Sequence, residues 1–304
     1  MDHPDRRAAR DAGREAAQVA ALDLRPLTPS VGAEVRGLDL REPLDVDCAA
    51  ALRRALFRYG VLFFRGQRLS AERQVAFARQ FGHVPRVPDS MFRVHPDNPW
   101  VSVLENDADR PPTVNNWHSD YSFAAEPDMA SLLRAVAVPE VGGDTLWIGM
   151  AAAYRGLSAG MQARLEGLSA CHDFMKLYER PAKKALWQGE RGRLMEAARR
   201  QFPPVSHLVV RSHPESGEKA LFVNPSFTRH IEGMSECESR ALLAYLFEHV
   251  TAPEFQVRFR WTADSLALWD NRLTLHYAVA DFHPAHRLMH RVTILERPRP
   301  GEEL

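Results

Sequence analysis

The sequence predicts a mainly β fold with flanking helices, an antiparallel sandwich or barrel, on three observations. Short runs such as "DTLWIG", "FQVRFRW", "SLALWD" and "HRVTILER" are apolar or alternate apolar with polar residues, the pattern of buried and half-buried strands. Turn residues break the chain often, with 21 Pro and 17 Gly, and no regular exchange of strand and helix indicates βαβ units. The 304 residues suit one large β-rich domain, and no internal repeat is evident.

The elements follow in chain order. Residues 1–20 mix Arg and Ala with Asp2, Asp5, Asp11 and Glu15; those acids argue against a transit peptide, and the stretch reads as a mobile N-terminal tail before a single domain at 21–304. Apolar residues at Cys48, Leu52, Leu56 and Tyr59 predict a helix over 45–59 that Gly60 stops ahead of the strand "VLFFRG". Ser70 is placed to cap a helix running to about Phe81, and Ser235 with Glu238 forms a capping box before Leu242, Leu246 and Val250. In "FQVRFRW", Phe255, Val257, Phe259 and Trp261 alternate with Gln256, Arg258 and Arg260, which predicts a strand with one buried face. "HLVVRSHPESGEKALFVN" reads as a hairpin turning at 214–217. The Lys- and Arg-rich segment 175–205 is either a solvated helical excursion or a lid over a site.

Composition narrows the function. The 39 basic and 39 acidic residues balance, so bulk charge gives no stripe for nucleic acid or a membrane surface, and the expected partner is a small molecule. Cys48, Cys171 and Cys237 are too scattered for a disulfide framework or a zinc knuckle, which fits a reducing cytoplasm. No apolar run approaches the roughly 20 residues of a membrane helix. A homo-oligomer is compatible with all of this.

The chemistry concentrates in "NNWHSDYSF", where His118 and Asp120 stand two apart between Trp117, Tyr121 and Phe123. Positions i and i+2 of a strand share a face, so an imidazole nitrogen and a carboxylate oxygen would point into one space. The pair alone is weak, since His95 and Asp97 repeat it in the turn-like "HPDNP". A distant third ligand changes this: His276, in "LALWDNRLTLHYAV", would complete the two-histidine, one-carboxylate facial set of non-haem iron. Arg287 and Arg291 share a face of an extended strand roughly 13 Å apart, and arginines facing a barrel interior require an anion.

Together "WHSD", "GGDT" at 142–145, "WDNR" at 269–272 before "HYA", and "HRLMHR" at 286–291 resemble the taurine dioxygenase family of Fe(II)- and 2-oxoglutarate-dependent oxygenases. That family includes sulfonate, alkylsulfate and aryloxyalkanoate dioxygenases. The resemblance runs from about Leu22 to Pro298. It implies a double-stranded β-helix (jelly roll), with His118, Asp120 and His276 as Fe(II) ligands, Thr145 and Arg287 on 2-oxoglutarate, and Arg291 on the anion of the primary substrate. It also implies an O2-dependent hydroxylation beside a heteroatom, yielding succinate and CO2. Where taurine enzymes have polar substrate contacts, the matching positions here are Val87, Val114 and Leu177; Phe227 is retained and Tyr178 replaces another aromatic residue. An anion on an apolar body, an alkyl or aryl sulfonate or sulfate or an aryloxyalkanoate, suits such a pocket better than taurine, whose ammonium would lose its water without partners. The alternatives are a taurine dioxygenase proper, a metal-dependent hydrolase on the same ligands, and a non-catalytic jelly-roll binding protein. Trp117, Tyr121 and Phe123 are expected to shield the reaction or to pack the core.

Overall fold

The structure, a computed structural model, describes residues 22–88, 93–113, 115–179 and 190–299, with the side chains of 190–195 left aside. The expected tail at 1–20 lies outside them. In chain order the first strands are β1 (Asp23–Pro26), β2 (Ala33–Arg36), β3 (Val61–Phe64), β4 (Arg93–His95), β5 (Asn98–Asn106), β6 (Ala130–Ala137), β7 (Thr145–Gly149) and β8 (Ser169–His172). Then follow β9 (Val205–Leu208), β10 (Val210–Ser212), β11 (Lys219–Leu221), β12 (Thr228–Ile231), β13 (Gln256–Phe259), β14 (Leu266–Asp270), β15 (Thr274–Ala278) and β16 (Arg287–Ile294). The helices used below are α1 (Val46–Tyr59), α2 (Ala71–Ala78), α3 (Met150–Arg155), α4 (Ala159–Leu165), α5 (Glu190–Gln201) and α6 (Glu236–Val250).

Eight strands form one sheet in the order β1-β2-β3-β14-β6-β16-β5-β4, and β13-β7-β15 form a second. Apart from the parallel β2–β3 pair, the pairings in both are antiparallel. Phe63, Leu133, Trp269 and Met289 from the large sheet meet Trp147, Val257 and Phe259 from the small one. Phe63 stacks on Phe259 at 4.2 Å, and Trp147 meets Trp269 edge-on at 5.7 Å. Each such fully buried side chain contributes about 1.5–3 kcal/mol.

The outer face of the large sheet is covered by α1 and α2, whose Leu52, Leu56, Val75 and Phe77 pack on Leu62, Leu132 and Val292. Helix α1 starts where the Asp45 carboxylate accepts from Cys48 N and stops at Gly60, φ 71°. A Cβ at Gly60 would also stand 2.8 Å from Thr274 Cγ2, so any other residue there disturbs β15. Helix α2 is capped by Ser70 as expected but is regular only to Ala78, the last turn closing through Phe81 N to Ala78 O. The capping box of Ser235 and Glu238 is formed at the head of α6.

Two expectations are corrected. The strand in "FQVRFRW" begins at Gln256, because Phe255 closes a 3-10 turn behind Pro253. The hairpin is shorter than read: β10 pairs with β11 around the predicted turn, but His207 and Leu208 belong to β9, which pairs with β8 instead. Of the segment 175–205, residues 175–177 form a 3-10 turn and 190–201 the helix α5; residues 180–189, on which a lid would depend, lie outside the described residues.

Candidate metal centre and substrate pocket

His118 and His276 sit directly opposite one another. His118 N donates to His276 O at 3.1 Å and His276 N donates back to His118 O at 2.8 Å, an antiparallel bridge between the 115–123 segment and β15. The reciprocal bonds hold the two rings 4.1 Å apart. Asp120 does not continue a strand as expected. The bridge lasts one residue, and the chain turns at Tyr121 with φ 53°, yet the turn still brings Asp120 beneath both rings.

One ligand atom from each of His118, Asp120 and His276 falls within 4.8 Å of the others. Asp120 Oδ1 is 3.6 Å from each Nε2. Its other oxygen accepts from Ser131 Oγ at 2.7 Å, Ser131 Oγ accepts from Asn271 Nδ2 at 3.3 Å, and Asn271 Oδ1 accepts from Trp269 Nε1 at 2.8 Å. This leaves one carboxylate oxygen facing the imidazoles. His118 Nδ1 lies 2.8 Å from Asn116 O, which makes it the N–H donor and, in the neutral ring, leaves the lone pair on Nε2. The Asn116 amide is itself held by Ser226 Oγ.

Burial opposes charge on the Asp120 carboxyl, but His276, Arg291 and His118, with Ser131, hold it well below the usual carboxylate range. Burial, and then His118, push His276 down to about 3, so its imidazole is neutral at pH 7 as metal ligation requires. Two imidazole nitrogens, with both rings neutral, and one carboxylate oxygen on one side would fit a divalent transition metal of the Fe(II) type with open positions opposite.

These three residues lie at the base of a pocket of about 410 Å³. Arg287 and Arg291 both line it, as the shared strand face predicts. Arg287 Nε donates to Gly143 O at 3.2 Å. Gly143, φ 70°, is where "GGDT" needs glycine, since a Cβ there would be 3.2 Å from Arg287 Cδ. Burial lowers the Arg287 pKa to about 10, with Asp144 opposing, so the group stays cationic at neutral pH. Arg291 Nη1 is 3.5 Å from Asp120 Oδ1.

The facing wall is aromatic. Tyr121, Phe123, Phe174, Leu177, Tyr178 and Phe227 line it, and Phe202, just beyond α5, backs it at 5.1 Å from Phe123. Of the sequence-derived substrate positions, Leu177, Tyr178 and Phe227 are therefore in the pocket. Val87 is not among its lining: together with Arg291 and Tyr121 it lines a separate small crevice of about 20 Å³. Val114 lies outside the described residues. Thr145 is buried on β7 opposite Ala278, and its hydroxyl accepts from Trp261 Nε1 at 3.0 Å. Trp117 turns away from the pocket to pack on Tyr277 at 5.4 Å, whereas Tyr121 and Phe123 face it. Sequence reading passed over Asn116, Ser131 and Asn271. Asn116 and Asn271 stand inside the quoted motifs, but Ser131 is marked by nothing except its register opposite Trp269.

A family model described as "Taurine catabolism dioxygenase TauD, TfdA family" matches residues 23–293. The chain belongs to the TauD, TfdA family. Among its relatives, the alpha-ketoglutarate-dependent sulfate ester dioxygenase of Pseudomonas putida is 37% identical over 288 residues, covering 90% of this chain and 89% of that protein. The alpha-ketoglutarate-dependent 2,4-dichlorophenoxyacetate dioxygenase of Cupriavidus pinatubonensis is 38% identical over 288 residues, covering 89% and 96%. The crystal structure of a taurine dioxygenase from Burkholderia xenovorans superposes with a TM-score of 0.76 at 37% identity, over 90% of this chain and 89% of that one. The TauD, TfdA match spans every residue of the pocket described above. Among the described residues no helix is long and apolar enough to cross a membrane.

Proposed function

We propose that the protein is an Fe(II)- and 2-oxoglutarate-dependent dioxygenase on a jelly-roll fold, a single domain over 21–304, that hydroxylates a small organic anion beside a heteroatom. One observation carries the reading: the base of one pocket gathers His118, Asp120 and His276, and the same pocket is lined by Arg287 and Arg291. The three ligands would hold Fe(II), and Arg287 with Thr145 would grip the distal carboxylate of 2-oxoglutarate. Arg291 would hold the anion of the substrate. When bound, the iron supplies the activation of O2 that couples decarboxylation of 2-oxoglutarate to succinate and CO2 with insertion of one oxygen atom into a substrate C–H bond.

The chain's own residues set what enters. The wall of Phe123, Phe174, Leu177, Tyr178 and Phe227 offers apolar and π surface and excludes water, so the favoured substrate is an alkyl or aryl sulfonate or sulfate, or an aryloxyalkanoate. The relatives named for sulfate ester and 2,4-dichlorophenoxyacetate support that range. A taurine dioxygenase proper is disfavoured, because that wall gives an ammonium group no partner. A metal-dependent hydrolase would have no use for the guanidinium of Arg287 at this depth, and a binding protein would need no metal ligands. The cytoplasm is the proposed compartment, and a homo-oligomer remains compatible.

The test is a panel of sulfonates, sulfates, aryloxyacetates and taurine, scored by succinate formed above the substrate-free background. Apolar anions should exceed taurine; succinate at background level with every anion overturns the reading.

A further inference from the structure

A second cleft, of about 450 Å³, opens between the β10–β11 ribbon, the turn after β14 and the chain beyond β16, and it shares no lining residue with the pocket above. Its wall carries Arg211, Arg272, Arg297 and Arg299. Three of these are matched: Arg272 by Asp270 at 2.6 Å, Arg297 by Glu126, and Arg299 by Asp128 at 2.6 Å. Arg211 differs. Among the described residues it forms no ion pair, and its guanidinium lies over the Phe222 ring at 4.5 Å.

Arg211 and Arg272 each keep a buried Nη1 with no acceptor. Burial, and then the nearby charge of Arg272, pull the Arg211 pKa below its ordinary value, with Glu296 opposing. Two half-enclosed guanidiniums that repel each other and retain unused donors form an arrangement that an anion relieves. Both are already oriented, one on a ring and the other on a ring and a carboxylate, so little side-chain freedom is lost on binding.

We propose that Arg211 and Arg272 form an oxyanion site outside the iron pocket, specific for a sulfate, phosphate or carboxylate group. Met129 and Leu295 on the same wall give room for a short apolar body. Glu296, exposed in the same cleft, forms no ion pair with either guanidinium among the described residues, and its negative charge opposes an incoming anion.

Inorganic sulfate is the probe, titrated into the full chain at constant ionic strength set with NaCl, with thermal unfolding as the readout. A ligand that binds the folded state raises Tm saturably. Arg211→Gln should weaken the response at least about tenfold, the scale of losing one partner of a buried charge pair. Glu296→Gln should strengthen it severalfold. In Arg291→Gln, where the proposed substrate pocket has lost its anion-holding arginine, a saturable rise should persist and still be weakened by adding Arg211→Gln, which separates this site from that pocket. NaCl alone giving the same rise overturns the proposal, as does loss of the response in Arg291→Gln. If Arg211→Gln fails to fold, the Glu296→Gln arm decides: an unchanged half-saturation overturns the site. Acetate titrated in parallel separates carboxylate from sulfate or phosphate chemistry, and no response to either anion overturns the site as well.

Discussion

His118 and Phe227 both line the pocket and meet edge-on with ring centroids 6.3 Å apart, but they are held in different ways. His118 and its partner His276 are fixed by reciprocal backbone bonds, and Asp120 by a chain of donors that runs through β6 and β14. Phe227 sits on a turn whose amides are capped by the Asn224 side chain at 2.9 and 3.1 Å. Phe174 and Leu177 ride on one 3-10 turn capped by Asp173. The proposed iron face is thus tied to the sheet framework by backbone and side-chain bonds, although only His276 stands on a strand, while the facing wall is assembled from turns. Such a wall changes shape without disturbing the ladder behind the ligands, so substrate range can diverge while the reaction is retained.

The sharpest break falls on the framework side. Asp120→Ala should reduce succinate formation to background and weaken Fe(II) binding at least about tenfold in an anaerobic titration; unchanged affinity would remove Asp120 from the ligand set. Next come the two arginines, each expected to cost about 2–5 kcal/mol as one partner of a buried charge pair. Arg287→Ala should raise the KM for 2-oxoglutarate and Arg291→Ala that for the anionic substrate. If both variants weaken only 2-oxoglutarate, the division of roles is wrong.

On the turn-built wall the effects are smaller and of another kind. Leu177→Ala or Tyr178→Ala should move the preferred substrate toward longer or bulkier anions by about 0.8 kcal/mol per methylene accommodated, with Fe(II) affinity unchanged. A loss of iron affinity in either variant would show that the two walls are coupled.

The smallest effect concerns the support behind that wall. His172 on β8 is fully buried, 3.2 Å from Thr228 Oγ1, and burial, then His207, push it down to about 3. Its folded pKa lies below the ordinary value of about 6.5, so its contribution to stability is present above pH ~6.5 and is lost as pH falls toward 3. In metal-free protein, Tm should fall on acidification, and His172→Phe should fall less steeply. Parallel curves would place the acid lability elsewhere, with His276 and His290, also held low by burial, the next groups to test.

The same division explains what the sequence revealed. Alternation, capping residues and the His-x-Asp pair are local signals, and they located β3, β7, β13, β14, β16, α1, α6 and two of the proposed ligands, His118 and Asp120; His276 came from its place after a strand and turn and from the family resemblance. The wall has no period. Leu177, Tyr178 and Phe227 came from the family resemblance, and the same resemblance placed Val87 in a pocket whose lining it does not join. Ser131 shows the other limit: it supports Asp120 only because β6 pairs with β14 in one register, and register between strands far apart in sequence is not written in either strand alone. Of the two roles open to Trp117, shielding the reaction or packing the core, it takes the second, against Tyr277.

The bridge between His118 and His276 joins positions separated by half the chain, and this bears on the order of assembly. Closing so long a loop carries a large entropic cost before any contact rewards it. No partial chain ending before β15 contains the three-residue site, so the proposed iron is acquired late, by a nearly complete molecule. Metal held there would tie the two halves of the sequence together, and its binding energy would act as folding energy.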